Sequence, residues 1–148
     1  MVDFMKQAIQ EGLKALKKNE VPIGAVVVKD GKVISRGYNC RERSQNAVKH
    51  AEIIAIQKAC KRLKSWRLDD CEIYVTLEPC PMCAGAIANA RIKKLVYGAI
   101  EKTSGDHLCE NILASIRLNH KVEIEIDKKN QEECAQLLTE FFKNKRNK

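Results

Sequence analysis

The chain alternates between apolar patterns of two periods. Met5, Ala8, Ile9, Gly12, Leu13 and Leu16 recur once per turn of about 3.6 residues and predict an amphipathic helix. Gly24 to Val28 is a short run rich in valine, which predicts a strand. Asp30-Gly31 then signals a hairpin turn, and Lys32 to Tyr38 reads as the returning strand. Ala51 to Leu63 is helical again, with Ile54, Ala55, Lys58 and Ala59 one turn apart. Glu72 to Thr76 predicts a strand, and Pro81 to Ala90 a helix whose proline is tolerated in the first turn. Lys94 to Ala99 predicts a fourth strand. Leu108 to Ser115 carries a weaker helical pattern, Val122 to Ile126 a fifth strand, and Gln131 to Lys145 a closing helix.

The predicted order, α-β-β-α-β-α-β-α-β-α, places a central sheet between helices on both faces, an α/β arrangement. A helical stretch lies between the last two strands, and such a crossover suits parallel pairing better than a hairpin. No internal repeat or low-complexity linker interrupts the pattern, and Gly and Pro are sparse, so 1–148 is expected to form a single domain.

Bulk composition narrows the class without choosing a function. At 148 residues the chain is long enough to bury a core, and 45% apolar with 31% charged residues is ordinary for a globular protein. No apolar run approaches the roughly 20 residues that span a bilayer. The segment Met1 to Lys6 has no signal-peptide apolar region, so a cytoplasmic location is expected. The net charge is +8, from 27 Lys+Arg against 19 Asp+Glu. That suits a polyanionic partner such as nucleic acid, and it suits simple lysine-driven solubility equally well. The seven cysteines, at 40, 60, 71, 80, 83, 109 and 134, are odd in number and lack a secretory context, which argues against a disulfide framework.

The informative residues are His50-Ala51-Glu52 and Pro79-Cys80-Pro81-Met82-Cys83. Cys80 and Cys83 are three apart at a predicted helix start, so their sulfurs share one face, and a helix N-terminus favours thiolate. A histidine opening a second helix supplies a nitrogen ligand. Three protein ligands leave one tetrahedral position on Zn²⁺ open, which is the arrangement of a catalytic site. His50 and Glu52 can face one site only if the histidine sits at the helix end. A carboxylate there can move protons, and it is not needed to hold the metal.

Other readings of these residues stand beside this one. Cys-x-x-Cys after a strand also describes a thioredoxin-like redox motif, in which an upstream His-x-Glu has no part. Cys71 or Cys109 closing a four-ligand structural zinc site is a second. An ordinary helix-end role for His50 and Glu52 is a third. A non-catalytic RNA-binding module would have no need of Glu52 and all three ligands.

His-Ala-Glu followed by Pro-Cys-x-x-Cys resembles the signature of the cytidine and nucleotide deaminase superfamily. Longer strings resemble its bacterial tRNA-acting adenosine deaminases: Glu20 to Val26, Asn39, His50 to Ile53, Trp66-Arg67-Leu68 and Tyr74 to Ile87. So do Arg91-Ile92, Val96 to Ala99, Asn119-His120 and Phe141-Phe142, and the resemblance covers nearly the whole chain. It implies a three-layer α/β/α sandwich on a five-stranded mixed sheet of the cytidine-deaminase type, with strands 4 and 5 parallel. It implies a homodimer that converts the wobble adenosine of a tRNA anticodon loop to inosine. Carried over by position, His50, Cys80 and Cys83 would bind one Zn²⁺ per subunit and Glu52 would shuttle the proton. Asn39 would contact the target nucleoside, the Ala51 backbone the base edge, and the Cys80 N–H the developing anion. Lys143, Lys145, Arg146 and Lys148 could grip loop phosphates or form a solvated helix end. Asn46 to Lys49 stands where the family usually carries Asp-Pro-Thr-Ala, and Thr103 to Leu108 where it carries a Gly-rich stretch. His107 is expected to be a surface loop residue rather than a ligand, and His120, just before a strand, to be structural. The alternative is a deaminase of a free base or nucleoside, guanine or cytosine; the basic charge favours RNA.

Overall fold

Helix α1 (Phe4–Lys17) begins at Asp3, whose carboxylate accepts the Lys6 N–H in the manner of an N-cap. Its apolar stripe of Met5, Ala8, Ile9, Gly12 and Ala15 is buried against the sheet, and the lysines of its last turn suit the negative end of the helix dipole. The computed structural model of the chain describes residues 2–101, 108–116 and 120–146, with the Arg146 side chain excepted.

Strands β1 (Gly24–Lys29) and β2 (Lys32–Tyr38) form the expected hairpin. Asp30 and Gly31 both take positive φ, 52° and 75°, the requirement of a two-residue turn that matches the twist of the strands. After β2 the chain makes one short helical turn, α2 (Arg41–Ser44), that the apolar pattern did not predict. None of its residues is buried, and it is held from elsewhere: the buried Glu20 carboxylate accepts the N–H groups of Glu42 and Arg43 at 3.1 and 2.7 Å.

Next come α3 (Ala51–Leu63), β3 (Cys71–Leu77), α4 (Pro81–Asn89), β4 (Lys94–Ala99), α5 (Leu108–Ser115), β5 (Glu123–Ile126) and α6 (Gln131–Arg146). The sheet order is β2-β1-β3-β4-β5. β1 is antiparallel to both neighbours, while β4 and β5 pair parallel as the crossover predicts. The β3–α4–β4 unit is a second parallel crossover.

Two apolar layers hold the helices on. Ala25, Val27, Ile73, Val75, Leu95 and Tyr97 meet α3, α4 and α5 through Ala51, Ala55, Ala84, Ile87 and Cys109. On the other face Val96 and Tyr74 meet α1 and α6 through Met5, Ala8, Ile9, Cys134, Leu137 and Leu138. The result is the expected α/β/α sandwich on a mixed sheet.

One contact controls how close α3 lies to the sheet. A Cβ at Gly37 of β2 would sit 2.5 Å from the Ala51 carbonyl oxygen and 2.9 Å from the Ala55 nitrogen, so only glycine permits this approach. Beside it the Ser35 hydroxyl donates to the Ala55 carbonyl at 2.7 Å. His120 serves structure, as expected, donating from Nε2 to the Ile92 carbonyl at 2.7 Å. His107 and most of the altered stretch 103–108 lie outside the described residues.

Candidate metal centre and pocket

The site lies at the carboxyl ends of the parallel strands β3 and β4, where α/β sheets ordinarily present their ligands. The N-termini of α3 and α4 meet there. His50 is the N-cap residue of α3 and Cys80 the N-cap residue of α4, both with extended backbone. This resolves the geometric condition on His-x-Glu. The His50 side chain makes no capping bond to its own helix and turns instead toward the cysteines, while Glu52 projects from the first turn.

The His50 Nδ1 atom lies 3.6 Å from Cys80 Sγ and 3.7 Å from Cys83 Sγ, and the three ligand atoms all lie within 4.8 Å of one another. A tetrahedral Zn²⁺ with bonds of about 2.3 Å to sulfur and about 2.0 Å to nitrogen needs an N···S separation of roughly 3.5 Å. The donor set therefore fits zinc in both chemistry and spacing. Among the described residues, neither Cys71 nor Cys109 joins this group, so no fourth protein ligand closes it.

Protonation tells the same story. Hydrogen bonding with Cys83, ahead of that with His50, pulls the Cys80 thiol down to about 4 against the effect of burial. The partner bond to Cys80, then burial and the nearby Glu52, push the Cys83 thiol far up. Two thiolates this close repel each other and resist ionising together. A divalent ion supplies the charge that lets both serve as thiolates. Hydrogen bonding to Cys80 raises the His50 imidazole above its ordinary range.

Glu52 is only 4% exposed, and burial pushes its carboxyl up to about 7. It faces a cavity of about 200 Å³ together with Ile23, His50, Leu77, Glu78, Pro79, Cys80, Glu101 and Leu108. A carboxyl group there, beside three residues that could hold a metal ion, is equipped to take up and return a proton.

The other expected site residues are placed variously. Asn39 is buried, its backbone N–H donates to the Ile23 carbonyl at 3.1 Å, and its side chain forms no hydrogen bond among the described residues. Ala51 is fully buried in the first turn of α3. Lys143 and Lys145 are exposed on the last turns of α6, with Lys145 Nζ 5.1 Å from the Phe141 ring centre, and neither lines the cavity. Asn46 to Lys49 form an exposed to half-exposed turn in which the Asn46 side chain accepts the Val48 N–H.

One further buried acid, Glu78, carries no role in the sequence motifs. It is 3% exposed, and its two carboxylate oxygens accept the N–H groups of Glu101 and Cys109 at 3.1 and 3.2 Å. An acidic residue at the end of a buried strand, directly before Pro79-Cys80, was the available signal.

Residues 2–146 match the family of MafB19-like deaminases. The tRNA-specific adenosine deaminase of Bacillus subtilis (strain 168) is 46% identical over 146 residues, covering 98% of this chain and 90% of that protein. The tRNA-specific adenosine deaminase of Aquifex aeolicus (strain VF5) is 44% identical, covering 97% and 95%. A solved structure from a study of A-to-I editing by tRNA:A34 deaminases at the wobble position of transfer RNA superposes with a TM-score of 0.84. It is 40% identical and covers 91% of this chain and 98% of that one.

Proposed function

This chain belongs to the MafB19-like deaminases and, within them, to the tRNA-specific adenosine deaminases, and from that premise we propose that it hydrolyses the wobble adenosine of a tRNA anticodon to inosine and ammonia. The observation that carries the reading is the buried Glu52 carboxyl facing the same cavity as His50 and Cys80 of the His50–Cys80–Cys83 cluster. His50 Nδ1, Cys80 Sγ and Cys83 Sγ are the atoms that would hold the zinc. When bound, such an ion lowers the pKa of water to roughly 7 and so provides a nucleophile at neutral pH.

The chain's own groups supply the rest. The Glu52 carboxylate takes a proton from the attacking water and delivers it to the exocyclic nitrogen leaving as ammonia. The side-chain amide of Asn39 is available to hold the nucleoside, and the Ala51 backbone to meet the base edge. The Cys80 N–H is available to help hold the attacking hydroxide or the developing anion. Leu77, Ile23 and Leu108 provide apolar walls that keep bulk water from the base. Adenosine in an anticodon loop is already unstacked, so presenting it to such a pocket costs little.

The reading extends to a homodimer in the cytoplasm, on the strength of the family, and to phosphate contacts by Lys143, Lys145 and Arg146, on the strength of the +8 net charge. The deciding experiment is to incubate the zinc-loaded protein with a tRNA bearing an unmodified wobble adenosine and to sequence for inosine. Inosine at that position alone supports the reading. No inosine, together with ammonia released from free guanine or cytosine, overturns it in favour of a small-substrate deaminase.

A further inference from the structure

Glu78 has no part in the proton transfer above, yet it is as deeply buried as Glu52, 3% exposed against 4%, and lines the same cavity. Its backbone N–H donates to the Ala99 carbonyl at 2.8 Å, fastening the end of β3 to the end of β4. Its carboxylate then reaches across to two separate segments. One oxygen accepts the N–H of Glu101, just beyond β4, and the other accepts the N–H of Cys109, the second residue of α5. Glu101 and Leu108, beside those two amides, form part of the cavity wall, as do Leu77, Glu78, Pro79 and Cys80 on the strand exit. One carboxylate thus ties the segment bearing a metal ligand to both ends of the β4–α5 connection. Glu78 forms no ion pair among the described residues. A buried charge satisfied by backbone N–H groups is expensive unless both bonds are made.

We propose that Glu78 is a positioning residue that sets the width of the nucleoside pocket by holding Glu101 and Leu108 at a fixed distance from the Leu77–Cys80 segment. The proposal rests on the functional reading above only in calling the cavity a nucleoside pocket. A glutamine in its place offers one carbonyl oxygen and an NH₂ group, so one of the two backbone N–H donors would face another donor. That end of the wall is then released. A wall no longer held makes weaker contacts with ground state and transition state alike, which raises KM and leaves the chemical step as it was.

The test uses the full-length, zinc-loaded protein and the variant Glu78→Gln, with an anticodon stem-loop bearing a wobble adenosine as substrate. Amide hydrogen exchange at Glu101 or Cys109 is expected to quicken at least about tenfold, with zinc content and exchange at α3 and α4 unchanged. KM is expected to rise about tenfold while kcat stays within about threefold, the pattern of lost positioning rather than lost chemistry. In a double-mutant cycle with Leu108→Ala the effects on KM are expected to be less than additive, because the released wall is the one Leu108 forms. Unchanged exchange and KM would overturn the proposal, as would strict additivity, or a collapse of kcat at constant KM. Should Glu78→Gln not fold, Glu78→Asp keeps both acceptors one methylene short and is read by the same criteria. The exchange measurement needs no RNA. A wild-type protein that makes no inosine while the variant's amides exchange faster refutes the substrate and leaves the clamp. An active wild type with unaltered amides in the variant refutes the clamp alone.

Discussion

Substituting Gly37 by alanine tests whether the packing of α3 sets the metal centre. The added Cβ would lie 2.5 Å from the Ala51 oxygen, 2.9 Å from the Ala55 nitrogen and 3.1 Å from the Ile54 Cβ. Two of these neighbours are backbone atoms and cannot swing away. Restoring contacts of about 3.5 Å requires α3 to withdraw from β2 by about 1 Å. Overpacking of this kind costs about 1–3 kcal/mol, or a fall in Tm of roughly 3–10 °C for a domain of this size. His50 leads directly into the displaced turn. Its Nδ1 atom, now 3.6 and 3.7 Å from the two sulfurs, would move with the helix and leave the spacing that a tetrahedral ion needs. Zinc affinity should therefore fall by roughly 10–100-fold, as for other losses of support behind a ligand. The assay is competition for zinc against a chromophoric chelator, run beside thermal melts. Wild-type Tm and affinity together would refute the packing argument. A lowered Tm with unchanged affinity would refute the link from β2 to the ligands.

Three further outcomes follow from the same geometry. Glu52→Gln is expected to retain zinc, by metal analysis, and to lose about 10²–10⁴-fold in kcat; a variant keeping most of its turnover would remove Glu52 from proton transfer. Cys83→Ala removes a fully buried ligand from the cluster, and the purified variant should contain little zinc and melt at lower temperature; full zinc occupancy would show that two ligands suffice. Gly85→Ala, inside α4, meets nothing within 4 Å, so the better helix former should raise stability by about 0.5–1 kcal/mol. A lower Tm there would show that a second subunit covers this face.

Much of the fold was legible because the elements are strongly patterned. β2, α3, β4 and α5 begin and end where the apolar periods predict, and the turn at Asp30-Gly31 carries its own chemistry. The short α2 was not legible. One turn with no buried residue leaves no periodic trace, and it is held by Glu20, far away in sequence. Sequence alone does not exclude Cys71 and Cys109 as metal ligands, because a cysteine's identity says nothing of distance; the tertiary fold sends them into the same core as Ile73 and Ala84.

The residues of the candidate metal centre stand out in the sequence because their chemistry is local. His-x-Glu and Cys-x-x-Cys each lie at the start of one helix, and a helix end has a geometry that short-range spacing specifies. What the linear order leaves undetermined is every relation across the sheet. The N···S separations, the burial of Glu52 and the reach of Glu78 to Glu101 and Cys109 depend on how two crossovers and one glycine contact bring distant segments together. Such distances are set by packing of side chains from five strands and the helices on both faces, and packing is a property of the whole domain.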